Sequence, residues 1–224
     1  MFLNKPPGVI MDKPIIRSIT YFTPRFNSVE EYVEHLDKAV EKLRVIEKNM
    51  VNRGFTVFTK RISLPRGLSL DQVVKILDRV DHGDILVSIG AVDVDIVNSK
   101  GDVLVDLIER GYYTSIYGLP RNPVEYSREI SRFIHGLTGL NPLNATRVAV
   151  AMHDTPLQTP YFPDSTSPGV EGLGVAFLYP KHLNSFITSG RSLSDYPDVM
   201  IEISMEVKDL IEGIGFKNAL FDYS

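Results

Sequence analysis

Apolar residues recur along this chain in two alternating rhythms, one of period two and one of period near 3.6. Ile15 to Phe22 is dense in β-branched and aromatic residues and predicts a strand, which Pro24 ends. Ser28 and Glu31 have the spacing that satisfies free amides at a helix start. Behind them Val29, Tyr32, Val33, Leu36, Val40, Leu43 and Met50 make one apolar stripe, stopped by Gly54. Phe55 to Ile62 predicts a second strand and Pro65 with Gly67 a turn. Ser69 and Gln72 open a second helix carrying Val73, Ile76, Leu77 and Val80. Asp84 to Ala91 is nearly continuously apolar, as in a strand covered on both faces.

The same alternation continues. A short helix is expected over Val103 to Arg110, a fourth strand over Tyr112 to Leu119, and a helix opened by Asn122, Pro123 and Glu125 that carries Ile130, Phe133, Ile134 and Leu137. Arg147 to Met152 reads as a buried fifth strand. A proline-rich irregular stretch, His153 to Gly174, follows it. Short helices are expected over Val170 to Leu178 and Leu183 to Thr188, a longer one over Pro197 to Glu212, and a last strand over Phe216 to Tyr223.

Strands alternating with helices imply right-handed crossovers and an α/β fold with a mostly parallel sheet of repeated β-α units. About six strands could form an open doubly wound sheet or part of a barrel, and periodicity does not give their order. Residues 1–14 form an irregular lead-in, and 15–224 read as a single α/β domain. The sequence stops on a predicted strand, where parallel folds carry functional loops, so a truncated C-terminus is expected.

The net charge of −4 argues against nucleic-acid or anionic-membrane partners, which need concentrated positive charge. No apolar run approaches the roughly 20 residues that span a bilayer, nor does the start resemble a signal peptide, so a cytoplasmic protein is expected. With no cysteine, disulfides, thiolate metal sites and cysteine nucleophiles are excluded for these residues. The phosphate-binding glycine patterns and the Gly-x-Ser-x-Gly elbow are also absent.

Candidate chemistry lies where parallel strands would bring their C-terminal ends to one rim: Lys60, Arg61, Asp93, Asp95, Tyr117, His153, Asp154 and Asp222. Alternation sends Lys60 and Arg61 to opposite faces, so one could hold a phosphate or carboxylate; a solvated strand end is the other reading. Asp93 and Asp95, two apart, could bind a hard cation such as magnesium or could simply cap a helix. His153 and Asp154 are the best acid–base pair, although adjacent residues point apart and a histidine bonded to loop backbone fits equally. Thr159, Tyr161, Ser165 and Thr166 offer groups that could close over a ligand, or serve as turn and cap residues.

Ile16-Arg17-Ser18-Ile19-Thr20, Thr59-Lys60-Arg61-Ile62-Ser63, Thr159-Pro160-Tyr161-Phe162-Pro163 and Phe221-Asp222-Tyr223-Ser224 resemble a family of archaeal and bacterial proteins of unknown function. Its known fold is similar to the α/β barrel of pyruvate formate-lyase, built from two five-stranded parallel halves. The resemblance runs from about Ile15 onward. It implies half of a ten-stranded barrel and a longer family chain, and it transfers no catalytic residues. Thiyl radical chemistry is not implied, because that mechanism needs cysteines.

Two functions follow as expectations. The first is an enzyme acting on a small anionic metabolite at the strand C-terminal ends. There Lys60 or Arg61 neutralises the anion, His153 acts as acid or base, and the stretch from Thr159 to Thr166 excludes water. The second is a non-catalytic ligand-binding or homo-oligomeric assembly protein that uses the 153–174 loop as a partner interface, anchored by Tyr161 and Phe162.

Overall fold

A computed structural model describes residues 13–118, 123–151, 161–216 and 219–223. Seven strands form one sheet in the order β5-β4-β3-β2-β1-β6-β7. They are β1 (Ile15–Phe22), β2 (Lys60–Ser63), β3 (Leu86–Asp93), β4 (Tyr113–Tyr117), β5 (Val148–Ala151), β6 (Gly172–Leu178) and β7 (Ala219–Tyr223). Strands β1 to β5 are parallel neighbours, β6 joins β1 antiparallel, and β7 runs parallel to β6. The helices are α1 (Val29–Asn52), α2 (Leu70–Leu77), α3 (Val94–Glu109), α4 (Pro123–Leu140), the single turn α5 (Pro142–Ala145), α6 (Pro180–Thr188) and α7 (Tyr196–Glu212).

The mostly parallel α/β sheet agrees with the sequence reading, and three details correct it. Among the described residues there are seven strands. The stretch expected as a helix over Val170 to Leu178 is strand β6, whose pairing with β1 overrides a weak local preference. The expected convergence of all strand C-termini on one rim fails, because β6 and β7 run against the other five.

Strand order determines where the helices go. From β1 to β5 each crossover steps the same way across the sheet, and right-handed connections then place the intervening helices on one face. The core lies on that side: Ile19, Ile62, Val87, Ile116, Val175 and Phe177 meet Leu36, Val40, Leu43, Ile76, Leu107 and Val207. Local caps start the helices as expected. Ser28 accepts from the Glu31 amide, and Ser69 and Gln72 form the reciprocal capping box. Helix α3 begins nine residues earlier than the periodicity suggests; its axis breaks at Lys100 (φ −142°, ψ 33°), which conceals the first half from a single-stripe pattern. Among the described residues no helix is long and apolar enough to cross a membrane.

At the seam between α1 and the start of β6 lies a polar network. The Tyr21 hydroxyl bonds the His35 Nε2 and Glu171 Oε1 (3.0 Å), and Lys42 Nζ reaches the same carboxylate oxygen at 3.3 Å. Burial holds the Tyr21 pKa far above the usual phenol range, assisted by the Glu171 charge and hydrogen bond. Burial also lowers the His35 pKa, against the pull of Glu171. A histidine with a lowered folded pKa contributes stability that is complete above its unfolded value, about 6.5, and is lost as pH falls through the folded one. The melting temperature should therefore decline as the solution is acidified below about pH 6.5. In His35→Gln, whose side-chain amide can still hydrogen-bond the Tyr21 oxygen, that part of the decline disappears. Identical acid profiles for the two proteins in a calorimetric series would refute the assignment.

Candidate functional site

Side chains alternate across a sheet, so the face opposite the helices receives the other half of every strand. Bridge partners share a face, and the register places Ser18, Thr20, Arg61, Ser63, Ser88, Tyr113 and Ser115 there, with Gly172, Gly174 and Ala176 from β6 and Asp222 from β7. This inner face is small-sided and polar where the helical face is apolar. Its hydroxyls are buried even so: Thr20, Ser63 and Ser88 are each 0% exposed.

What buries them includes residues 161–171, the described half of the irregular stretch before β6. Ser88 Oγ donates to the Ser165 carbonyl (2.6 Å) and the Ser167 amide to the Leu64 carbonyl (3.1 Å). Ser167 Oγ donates to the Thr23 carbonyl at 2.6 Å, and the Arg25 amide bonds the Gly169 carbonyl at 3.1 Å. Backbone bonds thus stitch the segment along the β1–β2–β3 end of the sheet. Ser165 and Thr166 are buried beneath it, while Tyr161 is 44% exposed. Tyr161 hydrogen-bonds Asp222, and this bond, with some burial, raises its pKa.

Lys60 and Arg61 separate as alternation requires. Lys60 faces the helices and pairs with Glu47 Oε2 of α1 (2.6 Å) and Asp84 Oδ2 (2.9 Å). Burial would lower its pKa, but the Glu47 and Asp84 hydrogen bonds outweigh that and raise it, and the bond to Lys60 in turn lowers the Asp84 pKa. Lys60 opens β2 and does not end it. That corrects its expected place on a strand-end rim: Asp93 closes β3 seven residues beyond Leu86, the partner of Arg61, or about 23 Å further along at 3.3 Å per residue. Lys60 therefore ties β2 to α1. Lys60→Ala should cost about 1–2 kcal/mol, a value held down by the solvent that Glu47 and Asp84 still see. It should leave anion binding unchanged. An unaltered denaturation midpoint would show that the pair does not support the fold.

Arg61 points the other way. Its guanidinium carbon lies 4.9 Å from the Phe162 ring centroid, and that ring packs 5.0 Å from Tyr113. Arg61 Nε donates to Thr59 Oγ1 (3.1 Å), which itself donates to the Arg17 carbonyl (2.9 Å). Burial lowers the Arg61 pKa, and the positive charge of Arg17 lowers it further. Among the described residues no carboxylate forms an ion pair with Arg61. A half-buried guanidinium beside a second one, without a paired acid, has the electrostatics of an anion site.

The other expected residues fall elsewhere. Asp93 caps α3, its Oδ1 accepting from the Asp95 amide at 2.9 Å, and Asp95 lies in the first turn. Capping, the second reading of this acid pair, accounts for Asp93. Among the described residues no group of three or more histidines and acids is placed to hold a metal ion. His153, Asp154 and Thr159 lie outside the described residues. Sequence reasoning missed Thr20, Ser63, Ser88, Tyr113 and Ser115. The available signal was the alternation inside the strands, for example Ser18 and Thr20 against Ile19, which marks one face as polar over that stretch.

No known family model matches the chain, and no curated protein matches it.

Proposed function

We propose that this chain is a cytoplasmic protein that binds a small anionic metabolite on the inner face of its sheet, under residues 161–169, and acts on it as an enzyme. Arg61 is the anion anchor. The observation that carries this reading is a half-buried guanidinium, flanked by Arg17, that no acid among the described residues neutralises. Lys60, the other candidate, is already paired with two carboxylates. Asp222, on the same face of the sheet, is held by a hydrogen bond from Tyr161. The assembly reading is weaker, because Phe162, Ser165 and Thr166 turn towards the sheet and away from a partner.

The topology also supports the larger architecture that the resemblance implies. Five parallel strands in monotonic order, followed by two strands reversed against β1, fit a barrel of two parallel halves set antiparallel, as in the pyruvate formate-lyase fold. In that arrangement the polar face lines the interior. The test is a thermal-shift series with inorganic phosphate, pyruvate and acetate, on the native chain and Arg61→Gln. A rise seen with the native chain and lost in the variant supports the reading; no rise with any anion contradicts it.

A further inference from the structure

Ten buried side-chain oxygen or nitrogen atoms among the described residues have no hydrogen-bond partner, and eight of them lie on the inner face or the segment that covers it. On the sheet they are the hydroxyls of Thr20, Ser63 and Ser115, with Thr23 beside them and Asp222 Oδ2 on β7; on the segment they are Asp164 Oδ1, Ser165 Oγ and Thr166 Oγ1. Buried polar atoms are seldom left unpaired, so those nearest Arg61, on Thr20 and Ser63 of the sheet and Asp164, Ser165 and Thr166 of the segment, point to something that inserts between sheet and segment and completes them. Thr20, Ser63, Ser115, Ser165 and Thr166 are at most 1% exposed.

The kinds of unpaired atom restrict what can fill the layer. Hydroxyls both donate and accept, whereas a carboxylate oxygen such as Asp164 Oδ1 accepts. A bare anion that satisfied Arg61 would offer that oxygen no donor. An apolar molecule would satisfy neither. A cation would be repelled by Arg61 and Arg17. The ligand must therefore carry a negative group for Arg61 and several hydroxyls for the rest. The register sets Thr20 beside Arg61 on the neighbouring strand and Gly174, which carries no side chain, on the other side of Thr20.

We propose that the anion held at Arg61 is polyhydroxylated, a sugar phosphate or a sugar acid, with its hydroxyls paired to Thr20, Ser63 and the segment residues Asp164 to Thr166. This rests on the reading of Arg61 as the anion anchor. The two sources share one chemistry, a polyol chain ending in a negative group.

Isothermal titration of the native chain with glucose 6-phosphate, gluconate, glucose, inorganic phosphate and propionate separates the outcomes. The expected result is that glucose 6-phosphate or gluconate binds at least about tenfold more tightly than phosphate or propionate, with no binding of glucose. Which of the two binds better identifies the negative group as phosphate or carboxylate. Equal affinity for hydroxylated and bare anions would overturn this inference and leave Arg61 as an anion site. Absence of binding by all the anions would overturn both. Thr20→Val and Ser63→Ala supply a second readout. Each removes an atom without a partner, so the ligand-free melting temperature stays level or rises, while affinity for the hydroxylated anion falls by about tenfold or more and affinity for the bare anion is unchanged. Lower ligand-free stability with undiminished binding would show that these hydroxyls serve the fold alone.

Discussion

Arg61→Gln should weaken anion binding by about 30- to 150-fold, equivalent to about 2–3 kcal/mol for the loss of charge-assisted hydrogen bonds. It should do so without destabilising the ligand-free chain. The native guanidinium is desolvated, sits beside Arg17 and has no described acid as partner, so a neutral side chain of similar reach relieves a cost. This is the reverse of what Lys60→Ala does. Lys60 carries an ion pair to each of two acids, and its removal harms the fold while sparing the ligand. Adjacent residues on one strand should thus dissociate binding from stability. Titration calorimetry for affinity and denaturant midpoints for stability make the comparison. A large stability loss in Arg61→Gln would reassign that residue to structure.

Gly90→Ala should destabilise the chain by about 2–3 kcal/mol, a fall in melting temperature of about 5–10 °C for a protein this size. Gly90 has φ +82°, where a Cβ is strained, and that Cβ would sit 2.8 Å from the Leu64 carbonyl oxygen. The neighbour is backbone and cannot swing aside. The same carbonyl receives the Ser167 amide, and the Gly90 carbonyl accepts from Thr114 Oγ1 at 2.8 Å. Pushing Leu64 away therefore disturbs both the β2–β3 pairing and the anchor of residues 161–169. Anion affinity should fall along with stability. A change within about 0.5 kcal/mol, the range of an ordinary surface substitution, would mean the backbone around Gly90 adapts and the anchor matters little.

Much of the fold is legible in the sequence where the determining forces are local. Ser28 and Ser69 announce their helices through hydroxyls that meet amides three residues on, and the Val29–Met50 stripe places α1 against the sheet. Two features were hidden because they depend on distant chain. Gly172 and Gly174 weaken the strand signal of β6, which is decided by pairing with β1, some 150 residues earlier. That antiparallel pairing also defeats the assumption of one common rim. Arg61 was legible as a candidate anion ligand, but its separation from Lys60 was open until α1 supplied Glu47 on one side and the 161–171 segment supplied Phe162 on the other. The row of hydroxyls escaped notice because each is a common strand or turn residue by itself, and only the register shows that they share a face.

The most direct measurement is nuclear magnetic resonance of the arginine side-chain Nε–H groups, with the Arg61 signal assigned by its loss in Arg61→Gln. On titration with glucose 6-phosphate or with gluconate that one signal should move saturably with at least one of them, and the Arg79 and Arg110 signals, already occupied by Glu30 and Asp78, should stay in place. An unmoved Arg61 signal, or an equal drift of all arginines with added salt, would contradict a ligand site on the inner face.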